Sequence, residues 1–170
     1  MAEFFLRRAA REDVPAIVSL CKETISEVYG PFILPVVLRP WVEGSAVERL
    51  IEEQWPRMVV AELGDGGEVV GVAAASEDSV DLLWVRPSHH GEGMGTALLE
   101  SVEAEMRKRG HRTGRLSCFS ENLRALGFYQ SHGWTVAGEG KNEETDALET
   151  RMVKSLIEGN YSASFSEYPK

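Results

Sequence analysis

The chain has 170 residues, 43% of them apolar and 26% charged, which is length enough for one domain with a real core and the balance of an ordinary globular protein. A formal charge of −9 argues against a general affinity for nucleic acid and is compatible with cationic or amine partners. No stretch reaches the roughly 18 apolar residues of a membrane helix, and the early charges Glu3, Arg7 and Arg8 interrupt any signal-peptide core, so no membrane partner and a cytoplasmic location are expected.

Phe4 to Arg8 has the pattern of a first strand, and Asp13 with Pro15 behind it marks a helix start. Val14, Ile17, Val18, Cys21, Ile25 and Val28 form that helix's buried stripe. Three prolines between Pro31 and Pro40 predict a loop instead of regular helix, pressed over the core by its bulky apolar residues. Helical period resumes over Trp41 to Gln54. Arg57 to Leu63 and Glu68 to Ala75 are strands joined through Gly64-Asp65-Gly66-Gly67, a hairpin signal, and Ser79 to Arg86 is a third antiparallel strand. A helix from Gly93 closes at Lys108-Arg109-Gly110, with cations at its C-terminal dipole and a glycine for the left-handed cap. Because a helix intervenes, the strand Arg115 to Phe119 is expected to lie parallel to the strand at 80 to 86. A short helix, Asn122 to His132, follows. Strands Trp134 to Glu139 and Leu148 to Leu156 close the chain around the acidic loop Lys141 to Asp146. The expected organisation is one domain over 1–158 and a polar tail over 159–170. Cys21 and Cys118 are expected as reduced thiols, and His89, His90, His111 and His132 lack metal-ligand spacing, so no metal is expected.

The stretch Leu82 to Leu99 carries the strongest functional signal. An apolar run ends at Pro87, Gly91, Gly93 and Gly95 follow in alternation, and Met94, Leu98, Val102 and Met106 then recur at every fourth position. That is strand, glycine loop and helix start, and the free N–H groups of a helix start can hold a phosphate without a basic side chain. Thr96-Ala97 after Gly95 lacks the Lys and Ser/Thr of a P-loop. Thr96 also stands where a dinucleotide-binding fingerprint wants glycine, and Leu116-Ser117-Cys118 lacks its acidic residue.

Trp84-Val85-Arg86-Pro87 with His90-Gly91-Glu92-Gly93-Met94-Gly95 resembles the acyl-CoA signature of the Gcn5-related N-acetyltransferase (GNAT) superfamily. Glu121-Asn122, Ala125, Phe128-Tyr129 and Gly133-Trp134 look like that family's second motif, in the right order. The resemblance implies an α/β acyl-CoA N-acyltransferase fold. Its features are a mixed, mostly antiparallel sheet of six to seven strands, about four flanking helices and a parallel central strand pair that splays apart. It implies acetyl-CoA or coenzyme A as co-substrate, its pantetheine arm on the main chain of Leu83, Trp84 and Val85 and its pyrophosphate on the loop from His90 through Gly91, Glu92, Gly93, Met94 and Gly95 to Thr96. It further implies Tyr129 as the general acid beside the thioester sulfur, and transfer of an acetyl group by direct attack of a primary amine, on a small molecule or a peptide N-terminus.

His90 stands where the family has Arg or Gln, and Glu92 where it often has a cation, so looser and pH-dependent CoA binding is expected. Asn122 is open between a helix N-cap and a CoA contact. Period-two alternation puts Glu77, Ser79 and Asp81 on one side of a strand, and Asp81 is the candidate general base. A homodimer stays open, and the alternative function is an acyl-CoA-binding sensor or scaffold without turnover.

Overall fold

The computed structural model describes residues 3–64 and 67–157. Seven strands form one sheet: β1 (Phe4–Arg8), β2 (Val59–Leu63), β3 (Val69–Ser76), β4 (Ser79–Val85), β5 (Thr113–Phe119), β6 (Thr135–Lys141) and β7 (Leu148–Ser155). The described residues also form five α-helices: α1 (Val14–Thr24), α2 (Pro35–Val42), α3 (Ala46–Gln54), α4 (Met94–Lys108) and α5 (Leu123–Ser131). The spatial strand order is β1-β2-β3-β4-β5-β7-β6. Every neighbouring pair is antiparallel except β4 and β5. The proposed tail and the tip of the β2–β3 hairpin lie outside the described residues.

The sheet separates two cores. Val72, Ala74 and Leu82 face α1 and α3, where Ile17, Leu20, Cys21, Val47 and Ile51 are buried. Ala73 and Val85 point the other way, onto Met94, Leu98, Val102 and Met106 of α4. That helical stripe is fully buried or nearly so, each side chain worth roughly 2 kcal/mol of burial. With helices on both faces, β3 is buried from Val69 to Ala75, which is why its sequence reads as an unbroken apolar run. Glu103, on the same helix, is also buried. It accepts from Trp134 Nε1 and from Lys154 Nζ, each at 3.0 Å, so a charge that sequence pattern assigns to the surface is enclosed with its partners.

Three local expectations are corrected. Pro31 to Pro40 is not all loop, because α2 begins with Pro35 at its first position, where the missing N–H is not needed. Pro40 sits a turn later, and the carbonyl it leaves without a donor belongs to the exposed Val36. The first helix does not keep one period to its end. It widens into a π-helical turn over Ile25–Tyr29, which carries Glu27, Val28 and Tyr29 to the wall of a cavity. The alternation that placed Glu77, Ser79 and Asp81 together holds only for Ser79 and Asp81, which line one cavity. Glu77 lies in the β3–β4 turn at φ 50°, and the β3–β4 register shifts between Ala74, opposite Leu82, and Ala75, opposite Val80. Asp81 is the extra residue of that bulge, and a bulge re-aims the side chain it adds.

Candidate active site

The parallel pair is joined at only one end. Ser79 pairs with Arg115, and Arg115 N–H donates to Asp78 O at 2.7 Å. Beyond that point β5 pairs along its length with β7 while β4 follows β3, so β4 and β5 part towards their C-terminal ends. A cavity of about 740 Å3 occupies the split. Asp81, Leu83, Trp84 and Val85 line it from β4, and Ser117 and Cys118 from β5.

The glycine loop closes one end. Gly91 and Gly93 have φ of 80° and 88°, left-handed values that side chains rarely adopt, and Gly93 is the N-cap of α4. The first helical bond runs from Ala97 N–H to Gly93 O, and none of the N–H groups of residues 91–96 bonds to an acceptor among the described residues. His90, Gly91, Gly93, Gly95 and Thr96 line the cavity. Glu92 and Met94 do not: Glu92 turns back onto His89 Nδ1 at 3.1 Å, and the Met94 side chain is fully buried in the core, leaving its backbone as the part able to meet a ligand.

His90 Nε2 lies 2.7 Å from Val85 O, so it carries the hydrogen and donates to the carbonyl on the edge of β4. Its Nδ1 is buried with no hydrogen-bond partner among the described residues. Burial lowers its pKa below the ordinary 6.5 and nearby Arg124 adds to this, against the Val85 bond and Glu27. The imidazole is therefore neutral at pH 7, and the pH dependence expected from the sequence moves to the acid side. The residues nonetheless fit a diphosphate, because the donors are main-chain groups at a helix start and no Cβ occupies the space beside Gly91 or Gly93.

The opposite wall comes from α5. Asn122 is its N-cap, accepting from Ala125 N–H at 3.2 Å, and it also lines the cavity, so the capping role is observed. Tyr129 stands two turns on, 9% exposed, its ring edge-on to Trp134. Its hydroxyl bonds to no described protein group, and burial, with smaller effects of Cys118 and Tyr29, raises its pKa above the ordinary 10. α5 packs over Gly95, where a Cβ would stand in van der Waals contact with the Phe128 ring at 3.4 Å. His132 Nδ1–H donates to Phe128 O at 2.7 Å, which leaves Nε2 to accept from Thr96 Oγ1–H at 2.9 Å and ties the two helices together.

Sequence reasoning missed several lining residues. Tyr29, stacked edge-on with Phe32 and Phe119, receives a long 3.4 Å hydrogen bond from Trp84 Nε1, and burial raises its phenol pKa. Arg124 brings a cation to the cavity. Neither carries a motif, although the aromatic pair Tyr29 and Phe32 flanking Gly30-Pro31 was a visible hint. Cys118, half-buried on β5, has its thiol raised to about 11 by burial and the Glu149 carboxylate, so it is protonated.

Fold and cavity together define an acetyltransferase-type α/β protein. The chain belongs to the acetyltransferase (GNAT) family, whose sequence model matches residues 28–134. Among curated proteins it resembles the uncharacterized protein YxbD of Bacillus subtilis, 28% identical over 112 residues, covering 56% of this chain and 70% of YxbD. A GCN5-related N-acetyltransferase from Rhodopseudomonas palustris superposes with a TM-score of 0.75 at 20% identity, covering 91% of this chain and 97% of its own. The PaiA N-acetyltransferase of Thermoplasma acidophilum, solved in complex with coenzyme A, superposes at 0.71 with 19% identity, covering 90% and 99%. No described helix is long and apolar enough to cross a membrane. No cluster of described residues could hold a metal ion.

Proposed function

We propose that this protein is an acetyl-CoA-dependent N-acetyltransferase acting on a primary amine by direct attack on the thioester. The observation that carries the reading is a run of unpaired N–H groups at the start of α4 opening into the same cavity as the β4 edge and the Tyr129 hydroxyl. Residues 91–96 would hold the diphosphate, and the main chain of Leu83 to Val85 the pantetheine arm. Acetyl-CoA supplies the acetyl group and a thiolate leaving group. The amine nitrogen bonds to the carbonyl carbon as the carbon–sulfur bond breaks. Tyr129, protonated at neutral pH, gives the departing sulfur its proton; Asp81, through water, takes the one that the ammonium must lose before attack, and the second proton, shed by the nitrogen as the amide forms, returns through water to the Tyr129 oxygen.

Thiol release from acetyl-CoA in the presence of an amine panel tests this. Release with at least one amine, lost when that amine is left out, is the expected result; CoA binding by calorimetry with no release for any amine would leave the acyl-CoA-binding module, a reading favoured by the neutral His90 and acidic Glu92.

A further inference from the structure

A second cavity, of about 650 Å3, lies over β5, β7 and β6, with Gln54 and Arg57 at its edge. Val80, Asp81, Leu116 and Ser117 line both cavities, so the two spaces meet through the split between β4 and β5. Its walls divide by charge. Asp81 borders the passage, and Glu149 lies close enough to it to raise the pKa of Cys118 and Tyr29 on the other side. The remaining charged residues are arginines: Arg57, Arg115 and Arg151.

Arginines in this acidic chain are mostly paired, as Arg7 is with Asp13, Arg86 with Glu23, Arg109 with Glu105, and Arg115 with Asp78 at 2.8 Å. Arg57 and Arg151 have no carboxylate partner among the described residues. Arg151 is also seated. It lies opposite Ser117 in the β5–β7 register and opposite Gly138 in the β6–β7 register. A Cβ added at Gly138 would come within 2.5 Å of its guanidinium, and one at Gly140 within 2.9 Å, so two bare positions of β6 form the floor on which it rests. Carboxylates at the passage and unneutralised guanidinium forks beyond them are the complement of a zwitterion.

We infer that this cavity receives the acceptor and that the acceptor is an amino-acid-type molecule, its amine at Asp81 facing the split and its carboxylate on Arg151 and Arg57. The inference rests on the acetyltransferase reading for its amine end, while the anion site stands on its own geometry. Ser117, directly opposite Arg151 on the neighbouring strand, lines both cavities, while the Arg151 guanidinium itself reaches over β6, so the acceptor is an extended one with its amine and its carboxylate at opposite ends.

Glutarate, a dicarboxylate with no amine, probes the anion site in isotope-labelled full-length protein, with and without CoA. Saturable amide shifts are expected at 57, 115–117, 137 and 151, with affinity at least tenfold lower in the double variant Arg57→Gln, Arg151→Gln and unchanged in Arg49→Gln. No saturable shift, or equal affinity in the double variant, overturns the site. In thiol-release assays, amino acids should exceed their own carboxamides at least tenfold in kcat/KM, and the ratio should fall towards one in Arg151→Gln. Equal rates in the wild type overturn the substrate assignment. Glutarate binding with no thiol release for any amine retains the anion site and removes the transferase reading, and thiol release from acetyl-CoA in the presence of amines that lack a carboxylate, without glutarate binding, does the reverse.

Discussion

Gly93 caps α4 at φ 88° and ψ −2°, and a Cβ built there meets no atom within 4 Å. Valine at this position therefore acts through the backbone alone, at a cost of about 2 kcal/mol for a β-branched residue in the left-handed region. The chain can express that strain in two ways. If the loop keeps its shape, folding stability falls by about 2 kcal/mol and CoA affinity is untouched. If the loop relaxes, stability is kept and affinity falls by up to about 30-fold. Gly91 and Gly93 are exposed, with no side chain to fix them, so relaxation is expected. Gly133 is the contrast. Its φ of 87° is nearly the same, but it precedes the buried Trp134 and is held in place, so Gly133→Val should lower the melting temperature by about 4–8 °C and leave affinity unchanged. Calorimetric titration with CoA and thermal melts of both variants read the two effects. Wild-type CoA affinity in Gly93→Val together with a wild-type melting temperature, the loop having relaxed without loss of binding, refutes the reasoning that these amides hold the ligand.

Tyr129→Phe should lower kcat about 100-fold with the melting temperature within a degree of wild type, because the lost hydroxyl bonds to no described protein group; unchanged turnover would remove the acid role. His90 has its pKa held below 6.5 by burial, so its imidazolium appears only as pH falls through that lowered value. CoA affinity measured by calorimetry should be flat from pH 7 to 8 and strengthen only on the acid side, while His90→Arg should strengthen it at pH 7 by about fivefold, the ~1 kcal/mol of a part-exposed ion contact. Lys154→Met leaves the buried Glu103 carboxylate with fewer partners and should cost about 2–3 kcal/mol in urea unfolding, with part recovered when Glu103→Gln is added. No recovery in the double variant would show that packing, not charge, sets the cost.

What the sequence determined by itself was local in its physics. The strand ending at Pro87, the glycines at 91, 93 and 95, and the fourfold spacing from Met94 to Met106 depend on dihedral freedom and side-chain period, which neighbouring residues set. Element order and the antiparallel run before the glycine loop followed from the same signals, and so did the grouping of Tyr129 with Asn122 on one helix. Only tertiary structure decided where long-range packing overrides local preference. Pro40 is tolerated inside α2 because the carbonyl it strips of a donor is on an exposed turn. The π-helical widening that brings Tyr29 to the cavity and the bulge that re-aims Asp81 depart from regular helical and strand period, and the sequence carries no local signal for either. Glu103 is enclosed because Trp134 and Lys154, 31 and 51 residues away, satisfy it. Arg57 and Arg151 lie on separate elements with no motif joining them, and only the register of β5, β6 and β7 with the end of α3 brings both to one cavity.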